Sequence, residues 1–388
     1  MSHNGRHVIH KLVIFCSREF VSPRSTPAFQ FHGNFLLAGC FRKKKHPGIS
    51  FLVCSSCEQI HQANTGNIFF SPTIMFGYSA ADTHLCPSRT ITGKFKLAKF
   101  LIAGEDGYIV TVMGTTPTVA VDIKQIGKNA WNAITYGGGK YVAVGYDNYS
   151  TYSNDGIIWE APSHTTWGTD FIRVAYGNKR FAAVKKPTTA ATVSVTSDFI
   201  DYNGSLYESG FKVYDVAYGN GKFVGVGEKI ANGLGVAFVL NDGSSKWSSY
   251  YRIRVGRMRS IIFDGTRFVV LDDSGYVSTS SNGTSWSEQG YTGTYFLTDI
   301  AYGNGIYVGC GDGGDVSMSN DCITWTTPKQ IGTNKWLAVT YGGGLFLMVG
   351  EKGYISSSSD GVNWTIPKQI QYGDGNVLTV NLNDIFLQ

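Results

Sequence analysis

Self-similarity constrains this chain more than any other feature. Residues 336–364, WLAVTYGGGLFLMVGEKGYISSSSDGVNW, read as a small-residue strand (338–341), a glycine turn (342–344), a second apolar strand (345–349), another glycine turn and a serine-rich third strand. Asp360-Gly361 then leads into Trp364, and no helical period runs through the stretch. The aromatic-glycine anchor at Tyr341 recurs 39 residues upstream at Tyr302, then at Phe263, Tyr218, Tyr176 and Tyr136, with spacings of 39, 45, 42 and 40. A weaker copy stands at Phe95, where KFLIAGEDGYI matches the second strand and its turn. At the other end NVLTVNLNDIFLQ falls 40 residues after WLAVTYGGGLFL and matches its strand periodicity, with Asn381 in place of the anchor tyrosine.

A period near 40 with about four short strands per unit is the signature of an all-β fold, a β-propeller. The anchors at 95, 136, 176, 218, 263, 302 and 341 predict seven four-stranded blades; an echo at Phe31 would make eight, and loss of the Phe95 unit six. The chain stops partway through a repeat. Residues 377–380 and 385–387 are therefore expected to help close the ring and cover two sheet edges.

Radial packing is legible in side-chain size. Three steps before each anchor stand Ala133, Arg173, Asp215, Ser260, Asp299 and Ala338, and one step before it Thr135, Ala175, Ala217, Ile262, Ala301 and Thr340. A period of two puts both sets on one face. Small side chains suit an innermost strand where blades converge, with Arg173 and Ile262 as exceptions; the bulky Trp159, Trp247, Trp286, Trp325 and Trp364 are expected at the outermost strand.

The turn before those tryptophans repeats: Ser153-Asn-Asp155-Gly156-Ile-Ile-Trp159, Ser280-Ser-Asn282-Gly283-Thr-Ser-Trp286, Ser319-Asn-Asp321-Cys322-Ile-Thr-Trp325 and Ser358-Ser-Asp360-Gly361-Val-Asn-Trp364. A degenerate copy runs from Thr196 to Tyr202, and Asn241-Asp242-Gly243 before Trp247 has one extra residue. A short carboxylate or amide there bonds backbone N–H groups, glycine tolerates positive φ and tryptophan pins the hairpin. These turns resemble the Asp-box, or bacterial neuraminidase repeat. The repeat style AYGNGxFVGVGxxGxxxxSxDGxxW, over about residues 95–388, resembles the Asp-box propellers of bacteriophage tail fibres and tail-associated proteins, and more distantly the photosystem-assembly propellers. The resemblance implies a propeller fold and a virion setting.

The front of the chain has another character. Residues 1–94 carry ten Lys or Arg against three Asp or Glu, whereas residues 95–388 carry 23 against 25. Seven of the eight histidines and five of the seven cysteines lie in that basic segment, which predicts a separate N-terminal part (1–94) before the propeller (95–388). Arg42, Lys43, Lys44 and Lys45 suit docking on an acidic neighbour rather than nucleic acid, because no aromatic residues interleave them. The apolar run 12–16 is too short for a signal peptide or membrane span, so no membrane insertion is expected.

Cys54-Ser-Ser-Cys57 has zinc-knuckle spacing, and His84 with Cys86 is the pair that would complete a tetrahedron; the second half lacks a recognised spacing, and no metal or other cofactor is expected. Cys310 and Cys322 fall at opposite ends of one unit and are expected to be free thiols.

Glycosidase chemistry is the rival reading. Similarity to sialidases would imply an arginine triad, a tyrosine nucleophile paired with glutamate, and an aspartate acid. Arg173, Arg180, Arg252, Arg254, Arg257, Arg259 and Arg267 are available, but four crowd one connection between blades. None of Glu105, Glu160, Glu208, Glu228, Glu288 and Glu351 is singled out beside a tyrosine, so the charges read as rim-loop charges and no catalytic residue is assigned. Units differing by only a few residues leave no long insertions to build a pocket. The function expected is thus a non-enzymatic structural or binding module of a phage virion, contacting a host-surface glycan or other virion proteins. The alternatives are a sialidase-type glycosidase and an assembly factor holding a protein partner.

Overall fold

The computed structural model describes residues 99–113, 120–164, 170–197 and 202–387, together with the short strands at 12–13, 36–37, 61–62, 67–70 and 93–96. The chain divides into two compact units, Met1–Lys96 and Leu97–Gln388. In the first, Leu12–Val13 pairs with Leu36–Leu37, and His61–Gln62, Asn67–Phe70 and Gly93–Lys96 form an antiparallel three-stranded sheet.

The second unit is a seven-bladed β-propeller, each blade a four-stranded antiparallel sheet. Six blades are continuous in sequence, their innermost strands being Trp131–Gly137, Phe171–Gly177, Phe211–Gly219, Met258–Phe263, Leu297–Gly303 and Trp336–Gly342 (blades 2 to 7). Blade 1 is composite. Lys99–Gly104, Tyr108–Met113 and Ala120–Gln125 supply its outer three strands, and Leu382–Leu387 from the far end of the chain supplies the innermost. Each innermost strand touches its two neighbours, and Leu382–Leu387 touches both Trp336–Gly342 and Trp131–Gly137, so the ring is closed.

Closure uses a different register from the one the sequence suggested. Leu382-Asn-Asp384-Ile385 takes the place of Leu297-Thr-Asp299-Ile300, which makes Leu387, not Asn381, the anchor equivalent. The glycine after each anchor shows why. A Cβ on Gly137, Gly177, Gly219 or Gly303 would run into the ring of Tyr176, Tyr218, Phe263 or Tyr341 on the next blade, and one on Gly342 would run into Leu387. The longer connection after blade 7 displaced the anchor beyond the expected period. Of residues 377–380, Val377 makes only an isolated bridge to Gln371, and no strand forms there. Phe95 lies in Gly93–Lys96, paired with Asn67–Phe70 rather than in blade 1.

The core consists of apolar layers between adjacent blades, fed by second strands that are buried on both faces, such as Phe268–Asp272 and Leu345–Gly350. The turn tryptophans sit between the third and fourth strands rather than on the outermost strand, and Trp159, Trp286, Trp325 and Trp364 are half-buried. Among the described residues the fully buried tryptophans are Trp131 and Trp336, which open innermost strands and donate Nε1–H to the carbonyls of Ile126 and Ile331 at 3.1 and 3.0 Å. Cys310 and Cys322 are buried free thiols.

Candidate functional site

Every innermost strand carries a β-bulge at the same rung. Pairing with the second strand skips Asn132, Ile172, Tyr214, Arg259, Thr298, Leu337 and Asn383, one per blade, each four residues before its anchor. A bulge interrupts the alternation of faces and re-aims a side chain. Here all seven skipped residues line one cavity of about 320 Å³ at the end of the central channel, with Tyr146, Asp170, Arg173, Lys186 and Lys335 beside them.

Three members of this ring stitch blades together. Asn383 Nδ2 donates to the carbonyl of Trp131 at 3.0 Å, Asn132 Nδ2 to that of Phe171 at 2.7 Å, and Thr298 Oγ1 to that of Trp336 at 2.6 Å. Tyr214 donates its hydroxyl to Glu228 at 2.7 Å and lies under the Arg257 guanidinium. Burial, then the bond to Glu228, push the Tyr214 phenol well above its ordinary range. The remaining three are Ile172, Leu337 and Arg259. Arg259 makes no hydrogen bond or ion pair to any described residue, and its Nε is buried without an acceptor.

The other charges of the cavity are paired. Lys186 lies 3.2 Å from Asp170, whose Oδ1 accepts the backbone N–H of Asp147, and Lys335 lies 2.6 Å from Asp312. One residue further along the strands comes a second ring: Ala133, Arg173, Asp215, Ser260, Asp299, Ala338 and Asp384. Arg173 Nε lies 3.8 Å from Asp215 and keeps 28% of its side chain open to the channel. Burial works against its charge, but Asp215, Asp384 and Asp299 together hold the guanidinium protonated. Each acid also accepts a backbone N–H from the next blade: Asp215 from Ile261, Asp299 from Val339 and Asp384 from Ile134, at 2.8, 2.9 and 2.8 Å. Burial is the largest influence on all three, lifting Asp215 to about 6, Asp384 to about 7 and Asp299 above its usual range.

The motif residues lie elsewhere. In each of the four turns the serine hydroxyl accepts the N–H three residues on (Gly156, Gly283, Cys322, Gly361, at 2.8 to 3.0 Å). Oδ1 of Asp155, Asn282, Asp321 or Asp360 accepts the next two N–H groups. The Nε1–H groups of Trp286, Trp325 and Trp364 donate back to the turn carbonyl at 3.1, 3.2 and 3.0 Å. Basic residues opening the second strand of the preceding blade cap several of these turns: Lys99 on Asp155, Lys222 on Asn282 and Arg267 on Asp321. None of these turn residues lines the cavity.

The arginines do not crowd one rim loop. Arg252 and Arg254 sit on the outermost strand of blade 4, Arg257 in the connection, and Arg173 and Arg259 in the channel. The docking run Arg42, Lys43, Lys44 and Lys45 and the thiol-imidazole set Cys54, Cys57, His84 and Cys86 lie outside the described residues. Among the described residues no cluster of three or more His, Cys, Asp or Glu could hold a metal, and no helix is long and apolar enough to cross a membrane. Sequence reading missed the bulged ring, because period-two counting placed its members on the opposite face. No sequence signal marked it, because the third and the fourth residue before the anchor both vary in chemistry from unit to unit.

No family model matches this chain, and no curated protein matches it by sequence. Solved structures do match in fold. They include YCF48 bound to a D1 peptide (16% identity over 66% of this chain and 91% of that one, TM-score 0.48). YCF48 from Cyanidioschyzon merolae matches at 14% identity over 67% and 94%, with a TM-score of 0.48. The WD40 β-propeller domain of Doa1 matches at 12% identity over 68% and 87%, with a TM-score of 0.51. At such identities the likeness concerns the fold alone: residues 97–388 form a seven-bladed β-propeller.

Proposed function

We propose that this propeller is a non-enzymatic binding protein that holds a protein partner at the channel mouth. The observation that carries the reading is the bulged ring. Framework positions repeat from blade to blade, yet the seven side chains aimed into the 320 Å³ cavity comprise amide, aliphatic, phenolic, cationic and hydroxyl groups. Seven chemically different side chains that converge from seven blades on one open cavity support recognition of one shaped ligand. Apolar Ile172 and Leu337 beside Arg259 suit a peptide segment better than a fully polar ligand. In the phage setting implied by the repeat style, that partner is a neighbouring virion protein.

The test is affinity capture with the full chain and with Leu337→Trp, which fills the mouth without touching the blade interior. Loss of a captured partner with an unchanged melting curve supports the reading. Equal capture by both proteins overturns it, and so does turnover in a fluorogenic sialoside assay or selective retention on a glycan array that Leu337→Trp abolishes.

A further inference from the structure

We propose that the channel mouth is a carboxylate site that receives the C-terminal end of a peptide chain, with Arg259 as its anchor; this rests on the reading that the mouth binds a protein. Four of the cavity's lining residues are basic (Arg173, Lys186, Arg259 and Lys335) and one, Asp170, is acidic. The propeller as a whole has no such excess, since residues 95–388 hold 23 Lys or Arg against 25 Asp or Glu. Positive charge is therefore gathered at this mouth. Arg173, Lys186 and Lys335 already have carboxylate partners at 3.8, 3.2 and 2.6 Å, and their guanidinium and ammonium groups hold the walls in place.

Arg259 alone among these four has none, and its buried Nε–H has no acceptor. A guanidinium in a concave site with an unused donor matches a carboxylate, whose two oxygens it grips side by side. A buried donor left unmatched is costly, and a ligand that satisfies it recovers that cost on binding.

The surroundings select a chain end over a bare anion or a passing strand. Ile172 and Leu337 give the mouth apolar walls, which inorganic phosphate cannot use. One residue deeper, Arg173 is already engaged by Asp215 at 3.8 Å with Asp299 and Asp384 around it, so an anion entering along the axis finds its free guanidinium at Arg259. A strand running through would have to cross that charged cluster, whereas a terminus needs only to reach its edge.

The probe is a dye-labelled random pentapeptide library with free C-termini, compared by fluorescence polarisation with the same library amidated and with one carrying an internal glutamate and an amidated end. Free-acid peptides should bind the full chain and lose about ten- to a hundred-fold on amidation or in Arg259→Gln, with partial recovery in Arg259→Lys. Acetate and inorganic phosphate should compete only at far higher concentration. Equal binding of free and amidated libraries, an unchanged affinity in Arg259→Gln, preference for the internal glutamate, or the absence of any binding overturns the carboxylate assignment. The two readings fail separately: amidated peptides that bind and are expelled by Leu337→Trp preserve the mouth as a protein site while removing Arg259 as its anchor.

Discussion

Asp384 Oδ2 accepts the backbone N–H of Ile134 at 2.8 Å and so joins the closing strand of blade 1 to blade 2 across 250 positions of chain. The same bond recurs from Asp215 to blade 5 and from Asp299 to blade 7, so three of the seven inter-blade seams carry a carboxylate staple at one level of the channel. Three acids around Arg173 leave an excess of negative charge, which the protein relieves by holding protons.

That excess predicts a pH dependence. Burial lifts the Asp384 carboxyl to about 7, while Arg173 and the Ile134 N–H pull the other way. An unfolded aspartic acid titrates near 3.9, so the folded chain holds this proton more tightly. The stabilisation is complete below about pH 4 and is lost as pH rises towards 7. Asp215, lifted to about 6, acts in the same direction. Urea unfolding should show stability falling through this window, and Asp384→Asn, which keeps an oxygen for Ile134, should flatten the fall. A variant profile parallel to the wild type would show that the excess charge is neutralised by other means.

Ring closure should depend on the last strand. Leu382 is fully buried and Ile385 nearly so, both packed against blades 1 and 7. Deleting residues 376–388 removes them and bares the edge of Lys99–Gly104. The melting temperature should drop sharply, and Leu382→Ala alone should cost about 2 to 5 kcal/mol in denaturant titration. A truncated chain that melts like the intact one would mean the ring does not rely on this strand.

Fold class, strand count per unit and the seven-unit ring were legible because period and face alternation depend on local residue type. The register of closure was not. Leu387 replaces an aromatic, and the connection before it is longer than its counterparts, so matching by period landed on Asn381. The cavity was illegible for a related reason: a bulge is a backbone event, and nothing in a string such as Met258-Arg259-Ser260 announces that Arg259 is skipped by its partner strand. Arg173, Asp215 and Asp299 did register on the inner face, yet their meeting requires three separate blades to converge.

Anchor packing makes a paired prediction. A Cβ on Gly303 would lie 1.9 Å from the Tyr341 ring of the next blade, so Gly303→Ala forces two blades apart and should cost about 1 to 3 kcal/mol. Gly305 has open space around it but a φ of 77°, so Gly305→Ala should cost about 1 kcal/mol through backbone strain alone. The double variant Gly303→Ala with Tyr341→Ala should be less destabilised than the sum of its parts, whereas Gly305→Ala should add independently of Tyr341. Additivity in both cycles would remove the anchor as the contact that sets blade spacing.

The repeated turns should matter for stability and not for binding. Asp360 Oδ1 accepts the N–H groups of Val362 and Asn363 at 2.9 and 2.8 Å, and Ser358 donates to it at 2.9 Å. These bonds outweigh burial, the largest single influence, and hold the carboxyl down at about 2. Because the folded pKa is depressed, the contribution is present above about pH 4 and lost as pH falls through 2, opposite in sign to that of Asp384. Asp360→Ala should cost about 1 kcal/mol, as for a lost local cap. Trp364 is only half-buried, with its ring 6.5 Å from Phe346 and its Nε1–H on the Gly361 carbonyl. Trp364→Ala should therefore cost about 2 kcal/mol, less than a fully enclosed tryptophan would. Both variants should retain the wild-type affinity for whatever the channel mouth captures, because the cavity lies on the innermost strands and neither residue lines it. Either variant losing that affinity while keeping its unfolding midpoint would move the binding site from the channel to the rim.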